Sequence, residues 1–481
     1  MLFNSIDFAV FLPIVFLLYW FVANKNLRLQ NFLIVVSSYI FYGWWDWRFL
    51  SLIIFSSLID FFIGKKLSIC EKPSSRKFLI GASLALNLGL LGVFKYFNFF
   101  IDNFSQAFSL FGIALNPNRL SIVLPVGISF YTFQTLSYSI DVYRKKMEPT
   151  NDLISFLAFV SFFPQLVAGP IERASNLLPQ FYRKRIFNNK DASNGLRQIL
   201  WGLFKKVVIA DNCAEYVNII FSNSSSHSGS SLLIGTLFFA FQIYGDFSGY
   251  SDIAIGTAKL FGFRLMKNFA FPYFSRDIAE FWRRWHISLS TWFRDYLYIP
   301  LGGSKGNLLS KIRNTFIIFI VSGFWHGANW TFIIWGFLNA AYFLPLLISN
   351  KNRVNLDIAA KGKFLPSIKE FIQILFTFSL TLIAWIFFRA ENTQQAFAII
   401  GELFSYSILS APYFPKQFSV LPYLLLIFIV LEWIGRENNF AIEKVYLSCK
   451  LFYRWTFFSF LIFLIVMYMQ TKETPFIYFQ F

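Results

Sequence analysis

Long apolar runs recur along the chain, at residues 8–23, 31–44, 48–64, 78–101, 120–142, 238–263, 314–324, 327–349, 366–388, 395–408, 419–435 and 453–469. About 20 apolar residues in helix cross the hydrocarbon of a bilayer. Inside that layer only helices or a closed barrel satisfy every backbone N–H and C=O. A barrel would read as short alternating strands, and these runs are too long and unbroken for that. The chain is therefore predicted to be an all-α polytopic membrane protein, with about 11 transmembrane helices plus re-entrant and interfacial pieces. Its 14% of charged residues against 56% hydrophobic agrees, since soluble domains carry about a quarter charged. The N-terminus, MLFNSIDFAV, lacks the basic start of a signal peptide, so the first run is expected to stay as a span.

The net charge of +18 comes with no recognition motif, so nucleic acid is not an expected partner. The excess falls in loops, as the positive-inside rule asks. KKLSICEKPSSRK (65–77) is predicted cytoplasmic, as are Arg144, Lys145 and Lys146, the triplet Arg183, Lys184 and Arg185, and the loop GRENNFAIEKVYLSCKLFYR (435–454). Counting back places the N-terminus outside. Cys70, Cys213 and Cys449 are odd in number and far apart, which suggests neither a disulfide framework nor a metal site. Three regions of one membrane domain are expected: 1–119, 120–350 and 351–481.

Several stretches depart from simple spans. Pro125 and Gly127 should bend or break the run at 120–142. FFPQLVAGPIERAS (162–175) breaks an apolar segment that begins and ends beside basic residues, so 153–169 is read as re-entrant. GLRQILWGLFKKVVIADN (195–212) has Lys205 and Lys206 in its middle and reads as a membrane-surface helix. SNSSSHSGSS (222–231) is a flexible loop by composition, and its His227 a solvated bystander.

The working centre is placed at 281–330, which holds two of the chain's 3 histidines, His286 and His326. A polar ring among apolar spans needs a partner or a cavity and marks a functional candidate. Trp282, Trp285, His286, Leu289, Phe293 and Tyr296 recur every three or four residues, as one face of an amphipathic helix, with Arg283 and Arg284 off that stripe. Around His326, the runs at 314–324 and 327–349 suggest two helices that bend at the histidine, with Gly323 and Gly327 allowing close packing. Upstream, Asp246 and Asp252 interrupt an apolar helix together with Tyr244 and Tyr250. They suit either a proton or metal site or, preferably, hydrogen bonds to neighbouring helices.

No GxSxG nucleophile elbow or HExxH motif is present. Thr291 and Thr331 stand where HxxxxD acyltransferases need aspartate. A neutral imidazole can take the proton of a hydroxyl that attacks an activated carbonyl, and its ordinary pKa near 6.5 suits neutral pH. The donor would be a cytoplasmic acyl thioester such as acetyl-CoA, its phosphates drawn by Arg283 and Arg284. If donor and acceptor lie on opposite sides, the histidine must sit in a tunnel. Trp325, Asn329, Trp285, Asp246 and Tyr250 are expected to line it. No bound cofactor is expected.

The segments FYGWWDWRFL (41–50), PVGISFYTFQTLSYSIDVYR (125–144), FFPQLVAGPIERA (162–174), YGDFSGYSDIAIGTAKLFG (244–262), FWRRWHISLSTWFRDYLYIPLGG (281–303), SGFWHGANWTFIIWG (322–336) and PFIYFQF (475–481) together resemble the membrane-bound O-acyltransferase family. The nearest branch is that of alginate O-acetyltransferases, with teichoic-acid D-alanyl transfer proteins as cousins. The resemblance implies helices bundled around a central tunnel in a bacterial inner membrane. It implies His326 as the catalytic histidine and His286 as a supporting one. It implies acetyl transfer to an envelope polysaccharide, often with a separate periplasmic SGNH-type partner. Transfer of D-alanine or another acyl group is the alternative. A non-covalent glycan or lipid transporter would suit the intramembrane aspartates, but the chain shows no internal repeat.

Overall fold

Side-chain caps mark where helices begin. Ser5, Asn26, Asp46, Asp152, Asn307, Asn329, Ser367 and Asn392 each accept a bond from a backbone N–H of the first turn, which satisfies donors that no helix can satisfy internally. The computed structural model describes residues 1–110, 119–120, 124–167, 169–444, 450–470 and 476–477. Among them the secondary structure is helical, with no strand.

Among the described residues seven helical stretches are long and apolar enough to cross a membrane, and shorter apolar helices run at Ile6–Val22, Leu153–Leu166 and Leu451–Met467. The chain is a multi-pass membrane protein. The total of about 11 spans is not returned as such, because runs merge: Leu27–Ile69 holds two 20-residue helices joined by the single turn Trp47–Phe49. Of the described part of the run at 120–142, helix begins at Ile128 and runs to Tyr143, after Gly127 with φ +73°, so the break falls at the expected Pro125 and Gly127. The expected break in 153–169 falls at Phe162. A further helix runs Phe97–Ser109. Residues 111–118, Cys449 and most of PFIYFQF lie outside the described residues.

The described residues form two compact units, 1–192 with 258–265, and 193–257 with 266–481. In the first unit the carboxylate of Asp60 is buried and accepts bonds from Ser139 (2.7 Å) and Asn87 (2.8 Å), which ties three helices together. Of the basic triplet expected in a loop, Arg183 and Lys184 are exposed but Arg185 is buried. Its guanidinium donates to Asn31 (2.6 Å) and Gln30 (3.1 Å) and lies over Phe263.

In the second unit the central element is Gly229–Leu260. Its most apolar window is 83% buried, against 22–39% for the other six stretches. Against it lies a continuous rod made of Asn189–Leu203, a π-helical stretch Phe204–Ala210 and Asp211–Ser222. The surface-helix expectation for 195–212 is overturned, since Lys205 and Lys206 are buried inside the bundle. Their charge is tolerated because Lys205 pairs with Asp252 (2.6 Å), and Lys206 with Asp211 (2.7 Å) and Asp246 (2.8 Å). The rod lies so close that a Cβ on Gly202 or Gly249 would stand 2.6–2.8 Å from the other's carbonyl oxygen. The serine-rich insert is also fastened: Ser407 accepts from Gly229 N–H (2.8 Å), and Gln395 donates to Phe221 O and Ser224 Oγ. His227 is half-buried beside Tyr413.

Candidate active site

The helix Leu308–His326 ends on His326, and Trp330–Ile348 begins four residues later, so the bend falls where it was expected. Close packing of the two is enforced by small residues. A Cβ on Gly323 would overlap the carbonyl oxygen of Phe332, and one on Gly327 the Phe332 ring. This seats the imidazole of His326, which is buried, among Trp325 (4.9 Å between ring centroids), Trp335 (5.1 Å) and Phe388 (5.3 Å).

His286 does not lie on a continuous amphipathic helix, and that expectation is corrected. Helix Ile278–Arg284 stops, Trp285 is extended, and His286 takes the left-handed conformation at φ +43° before Ile287–Phe293 begins. The cause is tertiary. Ile287 N–H donates to Asn268 O (2.8 Å), and Ala270 N–H to Arg284 O (2.9 Å), so the segment 268–270 takes bonds an uninterrupted helix would make internally. Positive φ is uncommon for a non-glycine residue and is stored where surrounding structure compels it. The buried His286 ring meets Phe247 edge-on (4.5 Å) and stacks on Phe269 (6.3 Å).

Trp325 joins the two histidines. Its indole is in ring contact with His286 at 6.1 Å and with His326 at 4.9 Å. Trp285 continues the aromatic layer through Trp385 (5.0 Å), which stacks on Trp335. The structure therefore brings His286, Trp285, Trp325 and His326 into one buried aromatic layer.

The remaining candidates have structural engagements. Asn329 caps its helix by accepting from Thr331 N–H (3.0 Å) and donates to Glu391 O (2.9 Å). Asp246 holds Lys206 and accepts from Ile477 N–H (2.7 Å), while Tyr250 packs on Phe476. These aspartate contacts fit the hydrogen-bonding reading of Asp246 and Asp252. Arg284 pairs with Glu280 (2.7 Å) and donates to Ala270 O and Asp357 O. Arg283, on the surface, donates to Asn352 O and Asn355 O.

Two buried groups escaped the sequence reading. Glu432 accepts from Tyr244 Oη (2.5 Å) and Trp201 Nε1 (3.2 Å); the signal was a lone carboxylate in an otherwise apolar run. Asn268 sits in a non-helical segment with no motif to mark it. A polar cavity of about 10 Å³, room for about one water, is lined by Lys205, Ser251, Asp252, Asn268 and Glu432 among others. An apolar one of about 160 Å³ adjoins it at Tyr244 and Glu432. Among the described residues no group of three or more His, Cys, Asp or Glu is arranged to hold a metal ion.

Residues 149–388 match the model of the membrane-bound O-acyltransferase family. The chain is 42% identical over 411 residues to a probable alginate O-acetylase of Pseudomonas putida, covering 84% of this chain and 81% of that protein. It is 35% identical to a peptidoglycan O-acetyltransferase of Helicobacter pylori, over 87% of this chain and 82% of that one. It is 29% identical to a teichoic acid D-alanyltransferase of Streptococcus thermophilus, over 60% of this chain and 75% of that protein.

Proposed function

The chain belongs to the membrane-bound O-acyltransferase family, and from that premise we propose that it moves an acetyl group from a cytoplasmic thioester of the acetyl-CoA kind toward a hydroxyl of an exported or cell-wall polysaccharide. The observation that carries the reading is the pair of buried imidazoles in contact with one indole, His286–Trp325–His326. His326 is the general base. Its imidazole takes the proton of the acceptor hydroxyl while that oxygen bonds to the acyl carbon; the C–S bond then breaks, and the thiolate leaves with the proton the imidazole returns. A dry aromatic surround keeps water from competing for the acyl group. His286 supports the reaction from the other side of Trp325.

In this reading a tunnel reaches the aromatic layer from both sides of a bacterial inner membrane, with basic loops cytoplasmic and the N-terminus outside. Arg283, which stays on the surface, is the better placed of the two arginines to attract donor phosphates. The acceptor is the polysaccharide itself or a serine of a separate periplasmic SGNH-type partner. Acetyl is favoured over D-alanyl because the 42% and 35% identical relatives are named for acetyl transfer, and the D-alanyl relative stands at 29%. Membranes containing the protein, supplied with labelled acetyl or D-alanyl thioester on the cytoplasmic side, should pass acetyl label to envelope polymer. Passage of D-alanyl label alone would overturn the assignment.

A further inference from the structure

Asn268 touches His286 through three successive residues. Its carbonyl accepts from Ile287 N–H (2.8 Å). Its side-chain Oδ1 lies 3.0 Å from His286 Nδ1, accepts from Ser288 Oγ (2.8 Å), and accepts from Ser288 N–H (3.3 Å). Its amide nitrogen donates to Ser251 Oγ (2.9 Å) on the central helix. Asn268, Ser251, His286 and Ser288 are buried.

The amide's orientation follows from one contact. The backbone N–H of Ser288 can only donate, so the group facing it must be the oxygen. That same oxygen faces His286 Nδ1, and an oxygen acceptor there requires the proton to sit on Nδ1. The lone pair of the neutral ring is then on Nε2. The left-handed turn at His286 serves the same end, because it turns the N–H groups of residues 287 and 288 toward Asn268.

We propose that Asn268 is a positioning residue that holds His286 in the Nδ1–H tautomer, so that His286 presents Nε2 to the reaction as a hydrogen-bond acceptor and not as a donor to the acyl oxygen. The inference rests on the acyl-transfer reading for its function but not for its geometry. It predicts distinct behaviour for two near-isosteres. Asn268→Leu removes the acceptor and frees the tautomer; transfer should fall roughly 10²-fold, in line with the loss of groups that orient a functional histidine. Asn268→Asp keeps an oxygen for Nδ1–H, Ser288 N–H and Ser288 Oγ, and the Ser251 hydroxyl can rotate to donate. It should retain the tautomer and most of the rate, with the acid limb of the pH–rate profile moved to higher pH, because a carboxylate favours the protonated ring.

The test is nitrogen NMR of the full-length protein in lipid, labelled at its 3 histidines, with His286→Gln identifying the signal. The wild type and Asn268→Asp should show a protonated Nδ1 at His286, and Asn268→Leu should lose it. A wild-type His286 protonated on Nε2, or an Asn268→Leu protein with unchanged tautomer and rate, would overturn the proposal. The tautomer is read without turnover. A protonated Nδ1 in a wild type that transfers no acetyl would therefore sink the function and leave this assignment standing. If Asn268→Leu does not fold, the wild-type signal and Asn268→Asp still decide it.

Discussion

Trp325 is the residue whose ring meets both histidines, and each histidine is held by a different device. His326 is placed by the end of its helix and a glycine contact; His286 is placed by a distant asparagine. Asn329, which stands three positions after His326 in sequence, is accounted for as a helix cap. Asn329→Ser should therefore keep both stability and transfer, while Asn329→Ala should cost about 1 kcal/mol of stability, read as a lower unfolding midpoint in detergent. Abolished transfer in a stable Asn329→Ser protein would contradict the capping role. Lys206 makes the opposite case. Removing it as Lys206→Met leaves Asp211 and Asp246 buried without their cation, at roughly 3–5 kcal/mol. Adding Asp211→Asn and Asp246→Asn should recover most of that loss. A single variant as stable as wild type would show that the pairs contribute nothing.

Among the elements, the legible ones were those whose signals are local. Long apolar runs marked the spans, and the two runs that flank His326 marked its hairpin. The break at His286 was not legible, because the bonds that replace the helix come from residues 268–270. The buried rod was misread largely for the same reason: Asp211, which pairs with Lys206, is local, but Asp252 and Asp246, which pair with Lys205 and Lys206, lie 47 and 40 positions away. Its one local hint was the spacing of small residues, Gly195 and Gly202 against Gly249 and Gly256, which meet at the crossing. Gly249→Leu should force the rod away from Gly229–Leu260, at about 1–3 kcal/mol for overpacking, and lower transfer with it. Gly81→Ala, where an added Cβ meets nothing within 4 Å, should be neutral or stabilising by up to about 1 kcal/mol. Equal effects of the two on the unfolding midpoint would refute the close-approach account.

At the scale of the whole molecule, the chain is a multi-pass membrane protein whose second unit buries a layer of tryptophan, phenylalanine and histidine, and its sequence places it with acyltransferases. The central claim is that acyl transfer runs through His326. The most direct measurement is base-labile acetate on envelope polysaccharide in cells carrying wild-type protein or His326→Ala, at matched amounts of folded protein in the membrane. The account predicts that acetate falls in the variant to the level of cells lacking the protein. Acetate unchanged from wild type would contradict it.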